Sequence, residues 1–443
     1  MIKKRIAAAC ASLLLLLLVG CSKPARRVEQ ASSAASSTTP NSAKDVRRIT
    51  SVEPVLVSVK DTDAAEPALA AAGDGSVFVA WVEHRAGGEA DVWLAHLDGE
   101  AKPLGAPVRV NPQAGAATAW HGDPPTIAVA PDSTVYVGWT ARVPGAKHAS
   151  TLYLSASRDG GRSFASPVKV NDDERPAAHG MHSLAAAPDG RIYMAWLDER
   201  NVAPPPPPKP NSTHRHKESN REIFFAASTD GGRTFEANRR IASEVCPCCK
   251  TSLAAGADGR VYASWRQVLP GEFRHIAVAA STDGGRTFSS PAIVNDDKWQ
   301  IAGCPVSGAA LSLTNDGTLS VLWYTAGEAG TPGLYQTQSL DGGRTFAPRR
   351  AFARSSGRGT PVLLAGQGGD HLMAVWEERG EGAATRIAAT HFKDGVETPP
   401  ADTLASAGEL PVATKTGQQL FVAYVSETDA RRTVWLVRAR LEE

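Results

Sequence analysis

The sequence predicts an all-β fold, a β-propeller of four-stranded blades, from a hairpin pattern that recurs seven times and a tight turn that recurs four times. Each hairpin copy runs from a small or apolar stretch, through a turn holding Asp-Gly or a near variant, to an alternating stretch ending in Trp. It reads PALAAAGDGSVFVAW over residues 67–81 and PTIAVAPDSTVYVGW over 125–139. SLAAAPDGRIYMAW follows over 183–196 and SLAAGADGRVYASW over 252–265. Weaker copies end at Trp323, Trp376 and Tyr424, so the interval varies from 48 to 69 residues.

Asp-Gly between alternating apolar residues is a hairpin signal, because glycine tolerates the positive φ of the turn. The Ala-rich first strand suits the innermost place in a blade, where strands converge. The Val/Tyr/Trp alternation suits the second, which packs between neighbouring sheets. A third strand follows, as at residues 152–157 and 223–228, and then a fourth, as at 167–171 and 291–295. After the last hairpin, residues 409–426, there is only a third strand at 433–440; the strand it lacks stands at the front, residues 52–59. An N-terminal strand completing the last blade closes the ring and removes its open edge. The count favours seven blades, with six as the alternative.

Between third and fourth strands the sequence Ser-x-Asp-Gly-Gly-Arg-Ser/Thr-Phe occupies residues 157–164, 228–235, 281–288 and 339–346. Asp159, Asp230, Asp283 and Asp341 can accept backbone N–H bonds within the turn, the second glycine can take a φ closed to other residues, and the Phe can plug the turn into its blade. These turns resemble the Asp box of the sialidase-like, or BNR-repeat, propellers, and the resemblance covers essentially the whole chain from residue 51 to 443. It implies a structural role for the boxes and a binding site on the opposite face of the ring. Sialidases of that superfamily have six blades.

The N-terminus carries Lys3, Lys4 and Arg5, then a 14-residue apolar run ending Leu18-Val19-Gly20-Cys21. That run is short for a membrane span and reads as a signal peptide over residues 1–20. Its end resembles a lipobox, which implies lipidation on Cys21 and anchorage in the cell envelope; Ser22 points to the outer membrane. Residues 21–50, rich in Ala, Ser and Thr, read as a flexible tether. The net charge of +1 falls to −2 once Lys3, Lys4 and Arg5 are removed, which gives no basic face for nucleic acid. A monomer is expected.

Candidate site residues gather in the segments that enter the first strands. His121 and Asp123 precede the second hairpin, His179 and His182 the third, Cys246, Cys248 and Cys249 the fourth, and Cys304 the fifth. In a ring these positions converge on one mouth of the channel. The cysteines permit disulfides, a soft-metal site for copper or zinc shared with His121, His179 and His182, or one disulfide beside a His-rich site or a reactive dithiol. The family resemblance implies an arginine clamp for a substrate carboxylate; Arg85, Arg142, Arg200 and Arg379 follow the Trp strands and are candidates, with nearby acids as their competing partners. The chain departs from the sialidase pattern in lacking the early Arg-Ile-Pro motif and a Tyr in a matching context. The insertion at residues 201–220 carries Pro204 to Pro208 and a His214-Arg215-His216-Lys217 run, which fits a stiff arm or a surface loop. The expected function is a lipid-anchored envelope propeller binding a glycan or an envelope protein on its channel face. Sialidase-type hydrolysis and scaffolding in an envelope complex are the alternatives.

Overall fold

The computed structural model describes residues 49–118, 122–146, 148–203, 220–301, 303–328, 330–355, 357, 359–366, 371–379, 385–393 and 400–441. The signal sequence, Cys21, most of the tether, His121 and residues 204–219 of the insertion lie outside them. The strands described pair antiparallel in five sheets, the nine- and eight-stranded ones each joining two successive units of the chain. The first unit runs Asp63–Ala71, Val77–His84, Ala90–Leu97 and Val108–Arg109. The third runs His179–Ala186, Ile192–Asp198, Arg221–Ser228 and Arg239–Val245, and the fourth Ser252–Ala255, Val261–Leu269, Phe273–Ser281 and Ala292–Ile293. The first strand of every unit touches that of the next, and the seventh touches the first. The chain is therefore an all-β propeller round a channel.

Closure comes from the N-terminus, with one difference from expectation. The strand expected over residues 52–59 is two short pieces, Ile49–Ser51 and Val55–Leu56, both paired with Arg431–Leu441 of the last unit. Pro54 stands between them and has no N–H to give the ladder. Pairing thus begins at Ile49, inside the segment expected to be tether.

The core lies between units and not within them. Buried apolar residues form seven clusters, each drawn from two successive units. The aromatic that ends each hairpin faces the preceding unit: Trp139 joins the first–second cluster, Trp196 the second–third, Trp265 the third–fourth and Trp323 the fourth–fifth. Trp81, seven residues after the first turn, closes the circle against Phe421 and Leu436 of the last unit. Trp81, Trp196, Trp265 and Trp323 are fully buried, and truncating one such ring to Ala costs about 3–5 kcal/mol. The Trp repeat is therefore the mortar between blades.

The four Ser-x-Asp turns share one geometry. In the first, Asp159 Oδ1 accepts the N–H groups of Arg162 and Ser163 at 3.0 Å and the Ser157 hydroxyl at 2.8 Å. Ser157 Oγ in turn accepts Gly161 N–H at 2.9 Å. Asp230 and Asp341 repeat the scheme with the same backbone and hydroxyl donors, and Asp283 takes Thr287 N–H and the Ser281 hydroxyl. Each turn also leans on the blade before it. Phe164, Phe235, Phe288 and Phe346 pack into the cluster shared with that blade.

Candidate functional site

At the opposite rim the chain enters three of the innermost strands through an irregular step. Pairing register shifts between Ala65 and Ala68, between Gly180 and Ser183, and between Glu409 and Val412. The residues inside these bulges, Glu66, Met181 and Leu410, hold φ of 51°, 52° and 53°, and Val306 ahead of the fifth unit holds 47°. A bulge breaks the strict in–out alternation of a strand and re-aims a side chain. Here it turns side chains toward the mouth.

Four spaces stand out among the described residues. An axial space of about 290 Å³ is lined by the first strands of every unit and by Lys250, and next to it a narrow cavity of about 100 Å³ is lined by Glu66, Cys248, Lys250, Tyr324, Trp376 and Glu377 among others. A wider cleft of about 700 Å³ shares Val306, Gly359, Glu377 and Leu410 with it and adds Cys304, Glu409, Glu427 and Arg432. A fourth space, a cleft of about 910 Å³, lies between the second and third units and holds Asp123, Arg142, His148, His179, Glu199 and Arg221.

Lys250, half-buried at the cavity wall, makes no hydrogen bond or ion pair with any described residue. Burial pulls its ammonium down to about 8, with Asp123 acting weakly the other way. The two acids in the narrow cavity are already engaged. Glu66 meets His84 at 2.5 Å and Arg432 at 3.5 Å, and Glu377 accepts Leu410 N–H at 3.2 Å. Among the described residues, Lys250 thus has no carboxylate in ion-pair contact, and Asp123 acts on it only at a distance.

The expected His–Cys centre is divided. Cys248 and Cys304 form a disulfide across the fourth and fifth units. Cys246 and Cys249 are free and buried beside it. Cys249 Sγ lies 3.5 Å from Cys246 Sγ, which lies 3.8 Å from Cys248 Sγ and accepts Arg274 Nη1 at 3.0 Å. The Cys249 hydrogen bond and the Arg274 charge hold the Cys246 thiol below its ordinary range against the effect of burial, whereas burial drives Cys249 well above it. Among the described residues, the ligand-type side chains near enough to share an ion are Cys246, Cys248 and Cys304. The two described histidines of the set are elsewhere. His179 sits between Asp173 at 3.1 Å and Asp198 at 3.5 Å, and His182 Nδ1 lies 3.1 Å from Asp123. Asp123, on the expected face, also takes Met181 N–H at 2.6 Å and so stitches the second unit to the third.

Of the two readings of the arginines, the contacts of Arg85 and Arg200 fit pairing with nearby acids. Arg85 pairs with buried Asp91 at 2.5 Å. Arg200 pairs with Asp198 at 2.9 Å and Asp172 at 2.5 Å and lies over the Phe224 ring. A buried carboxylate needs its counter-ion, so these guanidiniums brace the rim. Arg142 donates to the Gly88 carbonyl, and Arg379 is exposed. Two residues were missed from sequence. Lys250 follows Cys249 directly and could have been taken with the cysteine run. Arg274 lies mid-strand with no local mark.

No family model and no curated protein matches this sequence. Solved structures do match in fold. A protein of unknown function from Dyadobacter fermentans gives a TM-score of 0.53 at 14% identity over 89% of this chain and 99% of its own. A polysaccharide lyase of family PL25, an ulvan lyase bound to -[GlcA(1-4)Rha3S]-, gives 0.53 at 11% over 87% and 95%. The polysaccharide lyase Uly1 gives 0.52 at 12% over 90% and 100%. These likenesses establish the propeller fold.

Proposed function

We propose that the protein is a lipid-anchored cell-envelope propeller that holds an acidic saccharide across the mouth of its channel. The observation that carries this reading is Lys250: an ammonium unpaired among the described residues, facing a cavity of about 100 Å³ that opens beside clefts of about 700 and 910 Å³. The cavity is the size of a carboxylate or sulfate group, and Lys250 also faces the axial space of about 290 Å³ beside it. The clefts are the size of rings. A buried charge without a partner is costly, and an anionic substituent supplies the partner. Two of the propellers with this fold are polysaccharide lyases, one of them bound to a saccharide bearing carboxylate and sulfate.

Calorimetric titration of the mature chain with uronate-bearing, sulfated, sialylated and neutral oligosaccharides tests this. Acidic saccharides bind and neutral ones do not. Affinity falls as pH rises through about 8, where Lys250 loses its proton, and Lys250→Met weakens binding by tenfold or more, about 1.4 kcal/mol. Binding that ignores Lys250→Met, or no binding of any acidic saccharide at millimolar concentration, overturns the proposal. A fluorogenic sialoside in the same panel reads hydrolysis, and its turnover would place the chain among glycoside hydrolases instead.

A further inference from the structure

Beside the narrow cavity, and independent of what it binds, four sulfurs form a graded path from interior to solvent. Cys249 and Cys246 are wholly buried and reduced. Cys248 is buried and oxidised, and its partner Cys304 is exposed in the 700 Å³ cleft. The steps along this path, 3.5 Å from Cys249 to Cys246 and 3.8 Å from Cys246 to Cys248, are sulfur–sulfur contacts with nothing between. Arg274 marks Cys246 as the reactive member. Its Nη1 donates to that sulfur at 3.0 Å, while Nε holds the Ile301 carbonyl at 3.1 Å, three residues before Cys304. A guanidinium against a sulfur favours the thiolate, the form that attacks disulfides.

We propose that Cys249, Cys246, Cys248 and Cys304 form a dithiol–disulfide relay that reduces a disulfide of an external molecule at the channel mouth. Cys246 attacks Cys248; a Cys246–Cys248 bond forms as Cys248–Cys304 breaks, and the electron pair leaves on Cys304. Cys249 then gives up its proton and attacks Cys246, making Cys246–Cys249 and releasing Cys248. Two electrons have moved from the buried pair to the rim pair. Cys304 attacks the external disulfide and expels one thiolate; Cys248 attacks Cys304, restores the rim disulfide and expels the second. In sum the buried dithiol becomes a disulfide, the external disulfide becomes two thiols, and the protons of the buried pair end on those thiols. No other oxidant or reductant enters.

The test uses the native mature protein with hydroxyethyl disulfide, quenched in acid, followed by isotope-coded alkylation and mass-spectrometric mapping of the four cysteines. At the start Cys246 and Cys249 are alkylated and Cys248–Cys304 is bonded. Afterwards Cys246–Cys249 is bonded, Cys248–Cys304 is again bonded, and two small thiols are released per chain. Cys246→Ser slows thiol release at least tenfold. Cys249→Ser stalls the relay, and Cys304 carries the small-molecule adduct. The relay is refuted if adducts appear on Cys246 or Cys249, if Cys246→Ser reacts as fast as the parent, or if the native chain releases no thiol. Should Cys246→Ser fail to fold, the mapping on the parent chain alone decides.

Discussion

The two glycines of the Ser-x-Asp turns carry two costs that sequence alone merges: Gly160 is the first glycine of its turn and Gly285 the second of its own. Gly160 and Gly285 both hold left-handed φ, +76° and +84°. A Cβ on Gly160 would meet nothing within 4 Å, whereas on Gly285 it would stand 2.6 Å from Phe225 Cζ of the preceding unit and closer still to Cε1. Alanine at either site pays the left-handed strain of about 1–2 kcal/mol. At residue 285 it must also push an aromatic that is fully buried and already edge-on to Phe288 at 4.9 Å. Overpacking of that kind adds about 1–3 kcal/mol. Gly285→Ala is therefore expected to lose about 2–5 kcal/mol and Gly160→Ala about 1–2 kcal/mol, the difference being the inter-blade contact. Urea denaturation followed by fluorescence of the interface tryptophans measures both, with the slope compared to confirm a common transition. Equal losses at the two positions would mean that the turn is a local device and does not clasp the neighbouring blade.

Two further expectations follow from the same geometry. The Ser163 and Ser157 hydroxyls and the Ser163 N–H hold the Asp159 carboxyl down at about 2, below its unfolded value of ~3.9. Its contribution is therefore fully present above pH ~4 and lost as pH falls through about 2, so Asp159→Asn lowers the melting temperature clearly at pH 6 and much less near pH 2; an equal deficit at both pH values contradicts the assignment. The N-terminal pieces are held by Ile49, buried in the cluster of the last two units, and Val57, buried in that of the last and first. Ile49→Asp with Val57→Asp frees the edge of Arg431–Leu441, and an open strand edge templates pairing between chains. Light scattering after size exclusion is expected to show soluble oligomers, and a monodisperse monomer shows that the ring closes without these residues.

The fold was legible because its core is repetitive. A Trp, or in the last unit Tyr424, every 48 to 69 residues marks one blade interface each, and the Asp turns mark another contact on the same interface. Hydrophobic period and turn chemistry report on local geometry, which is where a propeller keeps its information. The site was less legible. That His179 and Cys248 both enter a first strand was readable; which of them meet was not, because adjacent connectors differ in how far they reach over the rim. His182 is drawn to Asp123 of the second unit, while Cys248 is drawn to Cys304 of the fifth. Arg85 and Arg200 look alike in sequence, since each follows a Trp strand, and only the buried positions of Asp91 and Asp198 reveal that both are occupied. The positive φ of Glu66, Met181, Val306 and Leu410 carried no mark at all, because nothing in the residue type announces it.

Those four residues explain how one ring divides its labour between faces. At the Asp-turn face the aspartate and serine side chains bond within their own turn, and glycine supplies the positive φ at little cost. At the mouth the same backbone sign is imposed on residues with side chains, at about 1–3 kcal/mol each. The strain recurs because the innermost strand must leave the channel wall within a few residues, and a bulge is the shortest way to break its pairing. Its by-product is a side chain thrown toward the axis from a rigid strand end. Glu66, Val306 and Leu410 then wall the cavity that Lys250 and Cys248 complete. Chemistry accumulates at this rim because its connectors are free of the ladder while their ends are fixed by it. A propeller can accordingly exchange what it binds there without touching the Trp interfaces that keep it folded.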